Sequence, residues 1–238
     1  MTTEDHYVFN ISEAPRDLIA AVAERIFDVV WRFDFSAPGF GLLDLGPALD
    51  SHLLRSLMLE LKERLSEVGG RRNGVRFAYR SLGRFDQQET TKFHLDGAPD
   101  QSLLMLGYEP SKVRSRLSLA DYSRCAHDLG IEPKQFLDEF NPMYRKGEEL
   151  LARYVTELPQ PKEGHARILL INNSSLPYTD ARTNPLGVLH RAEILDPDES
   201  ERRIINSVML TVGVPEEVGE ETVRAFVATE EISQKLYG

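Results

Sequence analysis

Along the first seventy residues, apolar positions recur every three or four places. In PRDLIAAVAERIFDVVWRF, Pro15 to Phe33, that spacing predicts an amphipathic helix opening on a proline, whose missing N–H costs nothing there. PALDSHLLRSLMLELKERLSEVGG repeats the pattern from Pro47 and predicts a second helix ending at the glycine pair Gly69-Gly70, a natural C-cap. SAPGFGLLDLG between them reads as a loop or a short strand.

After Gly70 the period changes. GVRFAYRSLGRF alternates bulky and polar residues as a half-buried strand does, and TTKFHLD, a GAPD turn and QSLLMLGYE continue the strand-like character. From Ser118 to about Leu158 helical spacing returns, with Pro142 breaking or kinking the second piece. ARILLINNSS, GVLHRAEIL and RRIINSVMLTVGV then predict strands, and EETVRAFVATEEISQKLY a short closing helix. Helices, strands, a helical insertion and more strands predict an α+β chain with a mainly antiparallel β core. A double-sheet jelly roll of the cupin kind closes so many short strands. The expected organisation is a single domain over 1–238. Residues 1–70 form supporting helices, 71–110 and 164–215 the jelly-roll strands, and 111–163 a helical insertion.

Composition narrows the function classes. The 238 residues carry a formal net charge of −10, which argues against a nucleic-acid partner, since that binding depends on neutralising phosphates with Lys and Arg. No apolar run approaches the ~18 residues of a membrane span, and the acidic start MTTEDHYVFN lacks the apolar stretch of a signal peptide. The single Cys125 excludes an internal disulfide and a cysteine-based zinc cage. A cytoplasmic protein without a membrane partner is the expectation. No GxGxxG or P-loop sequence supports a βαβ nucleotide-binding reading.

Among six histidines, His52 and His127 fall inside helices among charged neighbours, His6 near the N-terminus, and His165 before a strand. His94 and His190 lie in strand-like runs beside loops. On a strand, His94 and Asp96 project from one face, giving an imidazole and a carboxylate side by side. His190, in GVLHRAEI, can add a second imidazole. Two His and one carboxylate on one side of a metal make the facial triad of non-haem Fe(II) oxygenases. Beyond the polar turn DPDESE, a strand opens with Arg202 and Arg203. Either guanidinium could grip a carboxylate bidentately. Alternation lets only one face inward, Arg202 sharing its face with Asn206 and Arg203 with Ser207.

FHLD, VLHR and RRIINS, taken in order, resemble the HxD…H…R pattern of the Fe(II)/2-oxoglutarate-dependent oxygenase superfamily, with the phytanoyl-CoA-hydroxylase-like branch most similar. The resemblance spans Gly74 to Val214 in the order and type of elements. It implies a double-stranded β-helix, a jelly-roll variant, supported by N-terminal helices. It implies His94, Asp96 and His190 as ligands of Fe(II), and Arg202 or Arg203, assisted by Asn206 or Ser207, as the grip on the distal carboxylate of the cosubstrate 2-oxoglutarate. Tyr79, on the strand before FHLD, could add a phenolic hydrogen bond. The implied reaction is hydroxylation of a small-molecule or peptidyl substrate. The loop SSLPYTDARTNPLG, leading to His190, is expected as a substrate rim or lid, or as a plain connection.

Two other readings stay open from the sequence. A cupin-like metal enzyme could use the triad without 2-oxoglutarate. A non-catalytic jelly-roll binding protein could carry the HxD by accident, and then the three ligand candidates would not converge.

Overall fold

The computed structural model describes residues 6–47, 49–179, 183–215 and 217–233. In chain order the elements are β1 (Val8–Asn10), α1 (Pro15–Val30), β2 (Phe40–Pro47), α2 (Ser51–Asn73), β3 (Phe77–Asp86), β4 (Ser102–Tyr108), β5 (Arg114–Ala120), α3 (Tyr122–Leu129), α4 (Pro133–Glu139), α5 (Arg145–Leu151), β6 (Val155–Glu157), β7 (His165–Asn172), β8 (Leu189–Asp196), β9 (Ile204–Val212) and α6 (Glu220–Ala228). The fold is mixed α and β with extensive sheet.

Helix α1 buries Ile19, Ala23, Ile26, Phe27 and Val30, one stripe at helical spacing, with Pro15 in its first turn. Helix α2 opens on Asp50, whose carboxylate accepts from the Leu53 N–H at 2.7 Å. It begins four residues later than its pattern predicts, because Pro47 closes β2, and it runs past the glycine pair. The cap is Gly74, at φ 68°. Gly69 serves close packing instead: a Cβ there would lie 2.8 Å from the Val75 carbonyl oxygen and 3.0 Å from the Phe27 ring.

Two sheets form. The larger has six strands in the order β1-β2-β7-β4-β9-β3, and the smaller three in the order β6-β5-β8. Every pairing is antiparallel except β1 with β2. The large sheet is the middle layer. On β4, Leu103 and Met105 pack towards α1 and α2, while Leu104, Leu106 and Tyr108 pack towards the small sheet. Burial on both sides explains why SLLMLGY reads as an unbroken apolar run. Leu117, Leu119 and Ala192 supply the small sheet's share of that inner layer.

Of the loop and short strand that SAPGFGLLDLG left open, the strand forms: the segment contains β2, a buried interior strand between β1 and β7. The structure corrects two expectations. The segment 111–163 is not purely helical: β5, RSRLSLA, alternates and pairs with β6 and β8. Its helices span only 122–151, with α4 and α5 separated around Pro142. TTKFHLD is not a regular strand but carries one isolated bridge, His94 to His190.

Candidate metal centre

The irregular segment after β3 runs alongside β8. His94 and His190 exchange backbone hydrogen bonds, each 3.1 Å, and the Thr91 N–H donates to the Ala192 carbonyl at 2.8 Å. The returning β8 amides are met by hydroxyls: Ala192 N–H donates to Thr91 Oγ1 at 3.0 Å and Ile194 N–H to Thr90 Oγ1 at 2.9 Å. Threonine side chains thus replace part of the ladder, leaving the segment extended without a strand's regular pairing. The paired histidines bring their rings to 4.2 Å between centroids.

Asp96 is fixed by a residue with no signal in the HxD motif. Its N–H donates to Asn173 Oδ1 at 3.0 Å, and its carbonyl accepts from Asn173 Nδ2 at 3.0 Å. Asn173 follows β7 directly, is buried, and also donates to Ser102 Oγ at 3.0 Å. Within this frame Asp96 Oδ1 stands 3.3 Å from His94 Nε2 and 3.8 Å from His190 Nε2. One ligand atom from each of His94, Asp96 and His190 lies within 4.8 Å of the others. Two segments some ninety residues apart in sequence meet there.

The protonation pattern suits a cation. His94 Nδ1 lies 2.7 Å from the Lys92 carbonyl, an acceptor only, so Nδ1 carries a hydrogen, and Nε2 faces Asp96 as the nitrogen that would ligate a metal once its own proton leaves. Burial pushes the His190 pKa down to about 4, with the neighbouring His94 acting in the same direction and the Asp96 charge opposing both. His190 is therefore neutral at working pH. For His94, burial opposes the charged form, but the hydrogen bond with Asp96, the Lys92 carbonyl and the Asp96 charge outweigh it and raise the pKa. For Asp96, burial is outweighed by the His94 hydrogen bond and both imidazoles, and the pKa falls. An ionised carboxylate with two imidazoles is a donor set for a divalent first-row metal.

Beneath the triad a cavity lies between the two sheets, walled by Phe85, Leu106, Leu117, Leu169 and Ile205, with Ser207 on the same wall. Arg203, the residue before β9, is buried at 3% exposure and lines an adjoining cleft that shares Tyr108 with this cavity. Its Nε donates to Ser115 Oγ at 3.1 Å and its Nη1 to Gln87 Oε1 at 2.8 Å, whereas Nη2 has no hydrogen-bond partner. Arg202 is exposed, and alternation directs it away from the cavity.

Asn206 and Tyr79 are not brought to the triad. Asn206 faces the helices, donating to Glu109 at 3.0 Å and accepting from Arg55 at 3.3 Å. Counting back from Phe85, alternation would turn Tyr79 into the cavity. A bulge between Tyr79 and Ser81 reverses it, and Tyr79 packs in the helix-side core with Lys62 Nζ 4.4 Å from its ring. The loop before His190 includes residues 180–182, outside the described residues. Its stem is pinned to α3, where the Tyr122 hydroxyl donates to the Ser174 carbonyl at 2.7 Å, and none of its described residues lines the cavity. No helix among the described residues is long and apolar enough to cross a membrane.

No protein-family model and no curated protein matches the chain. Among solved structures, an asparagine oxygenase is similar at 9% identity and a TM-score of 0.48, over 87% of this chain and 93% of the other. An iron and alpha-ketoglutarate-dependent endoperoxidase, NvfI, is similar at 12% identity and a TM-score of 0.38, over 79% of each chain. At these scores the likeness carries no functional weight.

Proposed function

We propose that this chain is a non-haem Fe(II)- and 2-oxoglutarate-dependent oxygenase that hydroxylates a small-molecule or peptidyl substrate. Its fold is then a double-stranded β-helix forming a single domain over 1–238, with α1 and α2 bracing the large sheet from outside. The observation that carries the reading is the convergence of His94, Asp96 and His190 at a cavity bounded by Tyr108, whose ring centre lies 5.2 Å from the guanidinium carbon of the buried Arg203.

His94 Nε2, Asp96 Oδ1 and His190 Nε2 would hold the metal, and the donor set fits: two imidazole nitrogens and one anionic oxygen. Fe(II) bound there would supply the dioxygen chemistry together with the cosubstrate's oxidative decarboxylation. The chain's own contributions are recognition and exclusion of water. Arg203 has a donor free for the cosubstrate's far carboxylate, held in place by Ser115 and Gln87. Of the two candidates for the assisting group, Ser207 lines the cavity and would fill the role, while Asn206 faces the helices. Phe85, Leu106, Leu117, Leu169 and Ile205 give the cavity an apolar wall that would limit the water beside a bound cosubstrate.

Arg203 favours this reading over a cupin-like enzyme that dispenses with 2-oxoglutarate, because a buried donor without a partner is costly unless a ligand meets it. The test is conversion of 2-oxoglutarate to succinate by aerobic, Fe(II)-loaded protein without added substrate. Slow succinate formation that disappears in His94→Ala supports the reading. Fe(II) binding without any succinate contradicts it.

A further inference from the structure

A second buried arginine stands beside the first. Arg167, on β7, is 6% exposed and directly opposite Tyr108 on β4. Its Nη1 donates to the Pro159 carbonyl at 2.7 Å, while its Nε has no partner. Arg203 places its guanidinium carbon 5.2 Å from the centre of the same Tyr108 ring. Arg167 and Arg203 line one cleft, and Tyr108 is the residue common to that cleft and the cavity below the triad.

Neither arginine forms an ion pair among the described residues. Asp44 Oδ1 accepts from the Gly46 N–H at 3.0 Å and lies 2.6 Å from His165 Nδ1, and Asp86 Oδ1 accepts the Arg203 backbone N–H at 2.9 Å. Of the glutamates on the same cleft, Glu109 pairs with Arg84, Glu157 with Arg116, and Glu163 is exposed. Two buried guanidinium groups, each with an unmet donor and no counter-ion, are expensive unless an anion joins them.

Resting on the oxygenase reading, we propose that Arg167 is a second recognition residue for the far carboxylate of the cosubstrate, gripping it together with Arg203 against Tyr108. The site would then select a 2-oxo diacid over a 2-oxo monoacid with two guanidinium groups rather than one. The alternative is structural: Arg167 only ties the Pro159 loop to β7.

The experiment is anaerobic calorimetry of protein loaded with Fe(II), titrated with 2-oxoglutarate and separately with 2-oxopentanoate, which has the same chain length but lacks the far carboxylate. The wild type is expected to prefer the diacid. Arg167→Met is expected to weaken 2-oxoglutarate binding about 10–100-fold while leaving 2-oxopentanoate and Fe(II) binding unchanged. Arg167→Lys, which keeps the charge without the fork, should lose less, and it serves in place of the methionine variant if that one does not fold. An unchanged ratio between the two ligands, whatever happens to the melting temperature, overturns the proposal and leaves the oxygenase reading standing. A wild type that binds neither ligand overturns both.

Discussion

Asn173 grips the main chain of Asp96 from both sides, accepting its N–H and donating to its carbonyl, each at 3.0 Å. The carboxylate that completes the triad is therefore oriented from β7, an element that supplies no ligand itself. Asn173→Ala should lower Fe(II) or Mn(II) affinity about 10–100-fold, the usual cost of losing a group that orients a metal ligand. Metal titration checks this, with circular dichroism to establish that the fold persists.

Metal binding should depend on pH through His94 rather than His190. A metal ligand must be unprotonated, and His94 holds its proton more tightly than an ordinary histidine because Asp96 stabilises the charge. Affinity should fall as pH drops through this raised pKa and level off above it, with proton release on binding. His190, at about 4, adds nothing in that range. Calorimetry in buffers of different ionisation enthalpy measures the released proton, and its absence at the acidic end of the range would contradict the assignment.

On the far side of the large sheet, Glu109 accepts from Arg84 at 3.2 Å, from Ser51 at 2.5 Å and from Asn206 at 3.0 Å. Burial alone would raise its pKa, but these donors and the Arg84 charge lower it. A depressed folded-state pKa contributes stability above the unfolded-state value that is lost as pH falls through the folded one. Glu109→Gln should therefore destabilise the protein by about 1.5–3 kcal/mol at neutral pH and flatten the acid limb of its stability curve. Urea unfolding at several pH values measures both effects.

Cys125 is buried on α3, and burial pushes its thiol up to about 11. Since the thiolate is the reactive form, native protein at neutral pH should resist iodoacetamide over a time in which urea-unfolded protein is fully labelled. Rapid labelling of the native state would contradict this packing.

What the sequence made legible was periodicity and chemistry. Ile19, Ala23, Ile26 and Val30 announce α1, and His94, Asp96 and His190 announce themselves by type and order. What it hid were events that break a period or act through the backbone. One bulge in β3 turns Tyr79 away from the cavity. Close packing, rather than capping, accounts for Gly69. The alternation in RSRLSLA is too short to stand out beside the helical runs that follow, although it builds the central strand of the small sheet. Asn173 acts on Asp96 through main-chain atoms, which no motif of side-chain types records. A buried Asn ending an apolar run, as in RILLINNSS, was the available hint.

The central claim is that His94, Asp96 and His190 hold Fe(II) with 2-oxoglutarate beside it. Anaerobic titration of Fe(II) and 2-oxoglutarate into the purified protein, followed through the weak visible charge-transfer band of the chelate, tests it most directly. The band should appear only when both are present and vanish in His94→Ala. Metal binding without the band would contradict 2-oxoglutarate as cosubstrate, and no metal binding at all would contradict the metal centre itself.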